Sequence, residues 1–294
     1  MKKQHLKPGI WVAMVTPFKH GEIDFAAVPG LVNYLIEGGI SGLVVCGTTG
    51  EAPTLSDAEQ DALLEAVLHA VAGRCGVIFG YTDNNTAAMV KRLPSLDRYP
   101  LAGLLIAPPP YSRPSQAGIL AHYRALLAAT RHAVVLYHIP YRTGVSLDIA
   151  TCQTLAEHPQ VVGIKEAGGG DMARLHALIN DTPLQVFSGE DNLILQTTCM
   201  GGAGAIAASA HLHPARFQRM FDAIQSGDLD TARALDRSLQ PVVRQAFAAP
   251  NPAPVKAALA QMGLMQNELR LPLMTMDDAL AGKWADILAA PVQH

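Results

Sequence analysis

Short apolar or β-branched runs alternate with longer amphipathic stretches along most of this chain. The runs lie at residues 10–16, 42–46, 76–81, 102–107, 133–138, 161–165, 184–188 and 203–207. Each has the length and unbroken apolarity of a buried strand. Between them the periodicity predicts helices, among them 24–37, 56–72, 115–129, 171–179 and 191–200. Ser56-Asp57-Ala58-Glu59 reads as a capping box, in which a hydroxyl and a glutamate each cap a free backbone N–H. Eight strands, each followed by a helix, are what a closed (β/α)8 TIM barrel requires, and they run to about residue 225. From Asp228 onward no strand pattern occurs, only helical stretches near 229–247, 254–262 and 276–288. The expected organisation is a barrel over 1–226 with an all-helical C-terminal extension over 227–294. No Gly/Ser linker separates them, so the extension is expected to pack on the barrel.

Composition narrows the function classes. A hydrophobic fraction of 49% in 294 residues supports a large core. No apolar stretch approaches the roughly 18 residues of a membrane helix. The net charge of −3 gives no electrostatic case for nucleic acid or an anionic membrane surface. The basic start is followed by an apolar run, 10–15, too short for a signal-peptide core, so a cytoplasmic protein is expected. Cys46, Cys75, Cys152 and Cys199 fit no zinc or redox spacing and read as small buried residues. His211 and His213 are a close pair with no carboxylate or cysteine beside them in sequence, a poor metal site.

The chemistry starts at Lys165, which lies near the end of Val161-Val162-Gly163-Ile164-Lys165-Glu166. An ammonium in a buried strand is costly, and desolvation lowers its pKa toward the free amine that forms Schiff bases with ketones. The plainer reading is a lysine that snorkels to solvent or pairs with Glu166. Other strand ends carry matching groups, and in a closed α/β barrel these ends converge on one mouth. The second ends in Gly47-Thr48-Thr49-Gly50-Glu51, where backbone N–H groups and the Thr48 and Thr49 hydroxyls can hold a small anion such as a carboxylate. After the fourth, Pro108-Pro109-Pro110 can project Tyr111 as a fixed phenol, the alternative being an aromatic plug. The fifth leads through Tyr137, a phenol that can be aimed at the lumen, to Arg142, a guanidinium suited to a second carboxylate or simply a solvated loop residue. Glu190 and Asp191 follow the seventh strand at a helix start, where carboxylates suit the dipole. Small residues in the eighth leave room in the lumen.

Together these segments resemble the dihydrodipicolinate synthase and N-acetylneuraminate lyase superfamily of Schiff-base-forming class I aldolases. The resemblance rests on Gly47–Glu51, the Pro110-Tyr111-Ser112-Arg113-Pro114 loop, Tyr137-x-x-Pro140-x-Arg142-Thr143-Gly144, Ile164-Lys165-Glu166, Gly189-x-Asp191 and Asn251-Pro252-x-Pro254-x-Lys256. It implies a (β/α)8 barrel with a helical C-terminal domain, assembled as a homotetramer or homodimer. It implies that Lys165 forms a Schiff base with pyruvate, needing no metal or organic cofactor. Tyr137 becomes the proton donor and acceptor, linked through Thr48 to Tyr111 of a neighbouring subunit. Thr48 and Thr49 would bind the pyruvate carboxylate, and Gly189 and Ile206 are further substrate-binding positions. The Arg142-Thr143-Gly144 form favours the branch that uses aspartate semialdehyde, in diaminopimelate and lysine biosynthesis. The alternatives are an aldolase or dehydratase for a 2-keto-3-deoxy sugar acid, or a non-catalytic paralogue.

The sequence departs from the best-known synthases at Pro110, where a second tyrosine is common, and at His138, where asparagine is usual. The positions that form the lysine effector site in inhibited members read here as Ala52, Pro53, Asp57, Gln60 and Ala88, with only Asn84 retained. A cationic amino acid loses its aromatic wall and much of its hydrogen bonding there. Feedback by lysine is therefore expected to be weak or absent. Half-inhibition of the purified protein at sub-millimolar lysine would refute this.

Overall fold

In the computed structural model, which describes residues 5–289, eight parallel strands close into a barrel, each beside its sequence neighbour. They are Gly9–Ala13, Gly42–Val45, Gly76–Gly80, Gly103–Ile106, Val134–His138, Val161–Glu166, Gln185–Ser188 and Gly204–Ala207, called first to eighth below. Nearly every strand residue is buried. Helices cover the outer face while side chains fill the lumen, so the strands read as continuous apolar runs rather than alternating ones. The capping box forms as the sequence predicts: the Ser56 hydroxyl accepts the Glu59 N–H, and the Glu59 carboxylate accepts the Ser56 N–H at 2.8 Å.

Two compact units divide the chain. One is built on Val77–Ala205 and holds the third to seventh strands. The other combines Gly9–Gly76 with the residues from Ile206 onward. In this second unit, helix Pro214–Ser226 lies beside Leu229–Ala246, which is followed by Ala253–Gln261 and Asp278–Ala289. All described strands precede residue 208, and the proposed division into a barrel (1–226) and a helical extension (227–294) follows that change of element type. Its outermost residues, 1–4 and 290–294, lie outside the described part.

Several elements escape the hydrophobic pattern. Phe18–Lys19 and Glu22–Ile23 pair as a hairpin too short to show periodicity. Helix Thr86–Leu96 carries Pro94 in its last turn, and Pro140–Thr143 is a single helical turn where the sequence suggests a loop. Cys46 and Cys152 are buried as expected, but Cys75 is half-buried and Cys199 exposed. His211 is held by backbone: its Nε2 accepts the Val15 N–H at 3.2 Å, so Nδ1 carries the proton and donates to the Ala208 carbonyl at 2.7 Å. Burial pushes its pKa down to about 4, keeping it neutral. Among the described residues no cluster of potential metal ligands occurs, and no helix is long and apolar enough to cross a membrane.

Ser56→Ala removes the hydroxyl half of the capping box and is expected to cost about 1 kcal/mol. A urea midpoint unchanged from the parent would show that the cap contributes nothing.

Candidate active site

The fifth and sixth strands pair in parallel with Tyr137 beside Lys165 and His138 beside Glu166. Side chains alternate between faces along a strand, so the phenol and the amine share one face while the histidine and the glutamate share the other. The Lys165 Nζ lies 4.6 Å from the Tyr137 ring centroid, and each residue is only 7% exposed. The other face carries its own charges. His138 Nδ1 is 2.6 Å from Glu166 Oε1, and Arg174 Nε donates to Glu166 Oε2 at 2.9 Å. The plainer reading of Lys165, a pair with its neighbour Glu166, is thus overturned, because alternation sends that carboxylate to His138 and Arg174.

Space for the amine comes from the seventh strand. Gly189 follows it and donates its N–H to the Glu166 carbonyl at 2.7 Å. A Cβ on residue 189 would stand 2.9 Å from Lys165 Cε, so any side chain would displace the lysine stem. Next to it Asp191 opens a short 3-10 turn and is buried. The Glu190 carboxylate accepts the Gly169 N–H at 3.0 Å.

These neighbours set the charge of Lys165. Burial pushes its pKa down to about 8, Asp191 and Glu190 pull it upward, and the Arg142 cation adds to the depression. At pH 7.5 about a quarter of such amines are uncharged, against about one in a thousand for an ordinary lysine. Glu190 and Asp191, which suit a structural role as the first residues of a helix, therefore also act on the amine. Only the seventh strand's position beside the sixth reveals this.

Arg142 sits exposed on the Pro140–Thr143 turn, its guanidinium carbon 5.8 Å from the Tyr141 ring centroid. The proline loop docks on this turn. The Tyr111 N–H donates to the Thr143 carbonyl at 3.2 Å, and Arg113 Nε to the Gly144 carbonyl at 2.9 Å. Tyr111 and Arg113 adopt left-handed backbone angles, φ 68° and 49°. The result leaves Tyr111 90% exposed, so it is a projected phenol and not an aromatic plug.

In the second unit, the turn after the second strand is closed by the Gly50 N–H on the Gly47 carbonyl at 3.0 Å and the Glu51 N–H on the Thr48 carbonyl at 3.1 Å. Thr48 is half-buried and Thr49 buried. The Asn251 amide donates to the Thr49 hydroxyl at 3.0 Å, and Lys256 Nζ lies 2.5 Å from Glu51 Oε1. Ile206 is fully buried in the eighth strand. The structure thus gathers Tyr137, Lys165 and Gly189, brings the charge of Arg142 to bear on them, and holds Thr48 and Thr49 on a separate fixed turn. The sequence motif includes Asn251 and Lys256 but does not reveal what they touch. A lone lysine in the apolar helix Ala253–Gln261 is the same signal that marks Lys165.

Residues 7–290 match the model of the dihydrodipicolinate synthetase family. A 4-hydroxy-tetrahydrodipicolinate synthase of Moorella thermoacetica is 41% identical over 268 residues, covering 90% of this chain and 91% of that protein. The crystal structure of dihydrodipicolinate synthase from Thermotoga maritima superposes with a TM-score of 0.93 at 34% identity, covering 97% of this chain and 98% of that one. The chloride-inhibited enzyme from Acinetobacter baumannii, complexed with pyruvate, gives 0.92 at 32% identity, with 96% and 98% covered.

Competitive labelling with a small acylating reagent should titrate Lys165 with a midpoint near 8, well below that of exposed lysines. Arg142→Ala removes a depressing charge and should move the midpoint up, while Asp191→Asn removes a raising one and should move it down. A Lys165 midpoint shared with the surface lysines would contradict the desolvation account.

Proposed function

The chain belongs to the dihydrodipicolinate synthetase family, and we propose that it condenses pyruvate with aspartate semialdehyde to give 4-hydroxy-tetrahydrodipicolinate. The observation that carries this is a buried lysine, its pKa pushed down to about 8 by desolvation, set over the ring of Tyr137 and not ion-paired to the adjacent Glu166.

The Lys165 amine attacks the keto carbon of pyruvate, and water leaves as the iminium forms. That cation draws electrons from the pyruvyl methyl group, which loses a proton and becomes the nucleophilic carbon of an enamine. The carbon attacks the semialdehyde carbonyl, whose oxygen takes up a proton. The amino group of the semialdehyde portion then adds to the iminium carbon and expels the Lys165 amine, closing the ring. One water is released overall. The iminium is itself the electron sink, so the reaction calls for no metal or organic cofactor.

Tyr137 is assigned the proton transfers, since a phenol both donates and accepts. Thr48 and Thr49 hold the pyruvate carboxylate, Arg142 holds that of the semialdehyde, and Gly189 and Ile206 line the substrate site. Exposure of Arg142 leaves its planar donors open to a ligand. The 90% exposure of Tyr111 supports its service to a neighbouring subunit, joined to Tyr137 through Thr48, and hence a homodimer or homotetramer. This assignment puts the enzyme in diaminopimelate and lysine biosynthesis in the cytoplasm. Gln60 donates its amide to the Ala52 and Leu55 carbonyls, which supports weak lysine feedback by occupying that side chain locally.

Borohydride reduction with pyruvate should leave a pyruvyl adduct on Lys165 that Lys165→Ala lacks; no adduct on the parent protein refutes the Schiff-base role. In a coupled assay Arg142→Ala should raise KM for the semialdehyde at least about tenfold while leaving that for pyruvate nearly unchanged. Equal effects on both substrates would refute the role of Arg142, and turnover of sugar acids alone would replace the proposed aldehyde.

A further inference from the structure

Polar groups of residues 251–270, which include helix Ala253–Gln261, reach back to the turn after the second strand. Lys256 is 0% exposed, and its ammonium lies 2.5 Å from Glu51 Oε1, 2.8 Å from the Glu268 carbonyl and 4.2 Å from the Phe18 ring centroid. Glu51 is buried in a left-handed conformation, φ 54°, and its other carboxylate oxygen accepts the Arg270 N–H at 3.2 Å. The Arg270 guanidinium donates to the carbonyls of Thr54 and Gly21, each at 2.9 Å, and to Glu59 at 2.6 Å. A helical segment needs only an apolar face to pack, so a fully buried ion pair directed at one turn has a different consequence: it fixes that turn against rearrangement.

On the turn so fixed, the Thr49 hydroxyl meets the Asn251 side chain. Asn251 Nδ2 donates to Thr49 Oγ1 at 3.0 Å, and Thr49 is 3% exposed. A hydroxyl has one proton and two lone pairs. Once the oxygen accepts from the amide, the proton must point elsewhere, and among the described residues no protein group takes it. Asn251 Oδ1 is buried with no partner, so among the described residues the Thr49 hydroxyl is the one group this side-chain amide meets by hydrogen bond.

We propose that Asn251 is a positioning residue that turns the Thr49 hydroxyl into a dedicated donor for the carboxylate of the 2-oxo acid. The inference rests on the reading that Thr49 binds that carboxylate. It gives the helical extension a part in recognising the first substrate, through one amide delivered to one threonine.

Asn251→Asp keeps the shape but replaces the donor with an acceptor, which would draw the Thr49 proton to itself and set a negative charge beside the substrate anion. KM for pyruvate should rise at least about tenfold, with kcat at saturating pyruvate within about twofold of the parent and KM for the aldehyde unchanged. Asn251→Ala leaves the hydroxyl unoriented and should raise the pyruvate KM by a smaller factor. In a double-mutant cycle, Asn251→Ala added to Thr49→Val should have no further effect, because the amide acts only through the hydroxyl. Concentration dependence of borohydride trapping gives the same comparison without the second substrate. If Thr49→Val raises KM for pyruvate and both Asn251 variants leave it unchanged, or if the cycle is additive, the inference fails alone. If Thr49→Val itself leaves KM for pyruvate unchanged, the carboxylate-site reading fails and takes this inference with it.

Discussion

The side-chain alternation of the paired fifth and sixth strands is the constraint on which the site depends. Tyr137 and Lys165 stand side by side on one face, and one step further His138 and Glu166 stand side by side on the other. Had Glu166 shared the face of Lys165, a carboxylate within a few ångström would have held the ammonium in its charged form and removed the nucleophile. Alternation separates the two by geometry. It then leaves a buried carboxylate on the far face, and His138 and Arg174 satisfy it there. The active amine and the buried triad are consequences of the same register.

The depression of Lys165 is also limited. Burial drives the pKa down, but Asp191 and Glu190 oppose it, and the outcome near 8 lies between an inert ammonium and a lysine that is neutral at all physiological pH. A pKa close to the working pH suits a group that must be free to attack yet also carry a proton on leaving. The seventh strand supplies both the opposing charges and, at Gly189, the space in which the lysine stem lies. Arg142 influences the amine from an exposed turn whose other edge anchors the Tyr111 loop, so substrate recognition and amine electrostatics share one short segment.

A second buried lysine does opposite work. Lys256 is also pushed down to about 8 by burial, yet it is fully buried against Glu51 and a backbone carbonyl. Removing one partner of such a pair strands the other charge, at a cost of about 3–5 kcal/mol. Two lysines with similar desolvation thus differ in their carboxylates: Lys256 is in direct ion-pair contact with Glu51, whereas Asp191 and Glu190 act on Lys165 only through their charge.

The eight strands were legible to within a residue or two at most ends, since strands covered on both faces are apolar without interruption, and the Ser56 cap was legible because its partners are three residues apart. Elements without a period of their own, the Phe18–Ile23 hairpin and the Pro140–Thr143 turn, were not. Sequence by itself identified Lys165 as an amine in an apolar strand and supplied the phenols, hydroxyls and guanidinium around it, because residue type and burial pattern are local properties. The tertiary structure decided which of them meet: that Glu166 turns to His138 and Arg174, that Tyr111 projects into solvent, that the charges of Asp191 and Glu190 bear on Lys165, and that Asn251 and Lys256 reach back some two hundred residues to Thr49 and Glu51. Those pairings depend on strand register and on contacts between distant segments, and a one-residue slip in register would reassign every partner without changing a letter of the sequence.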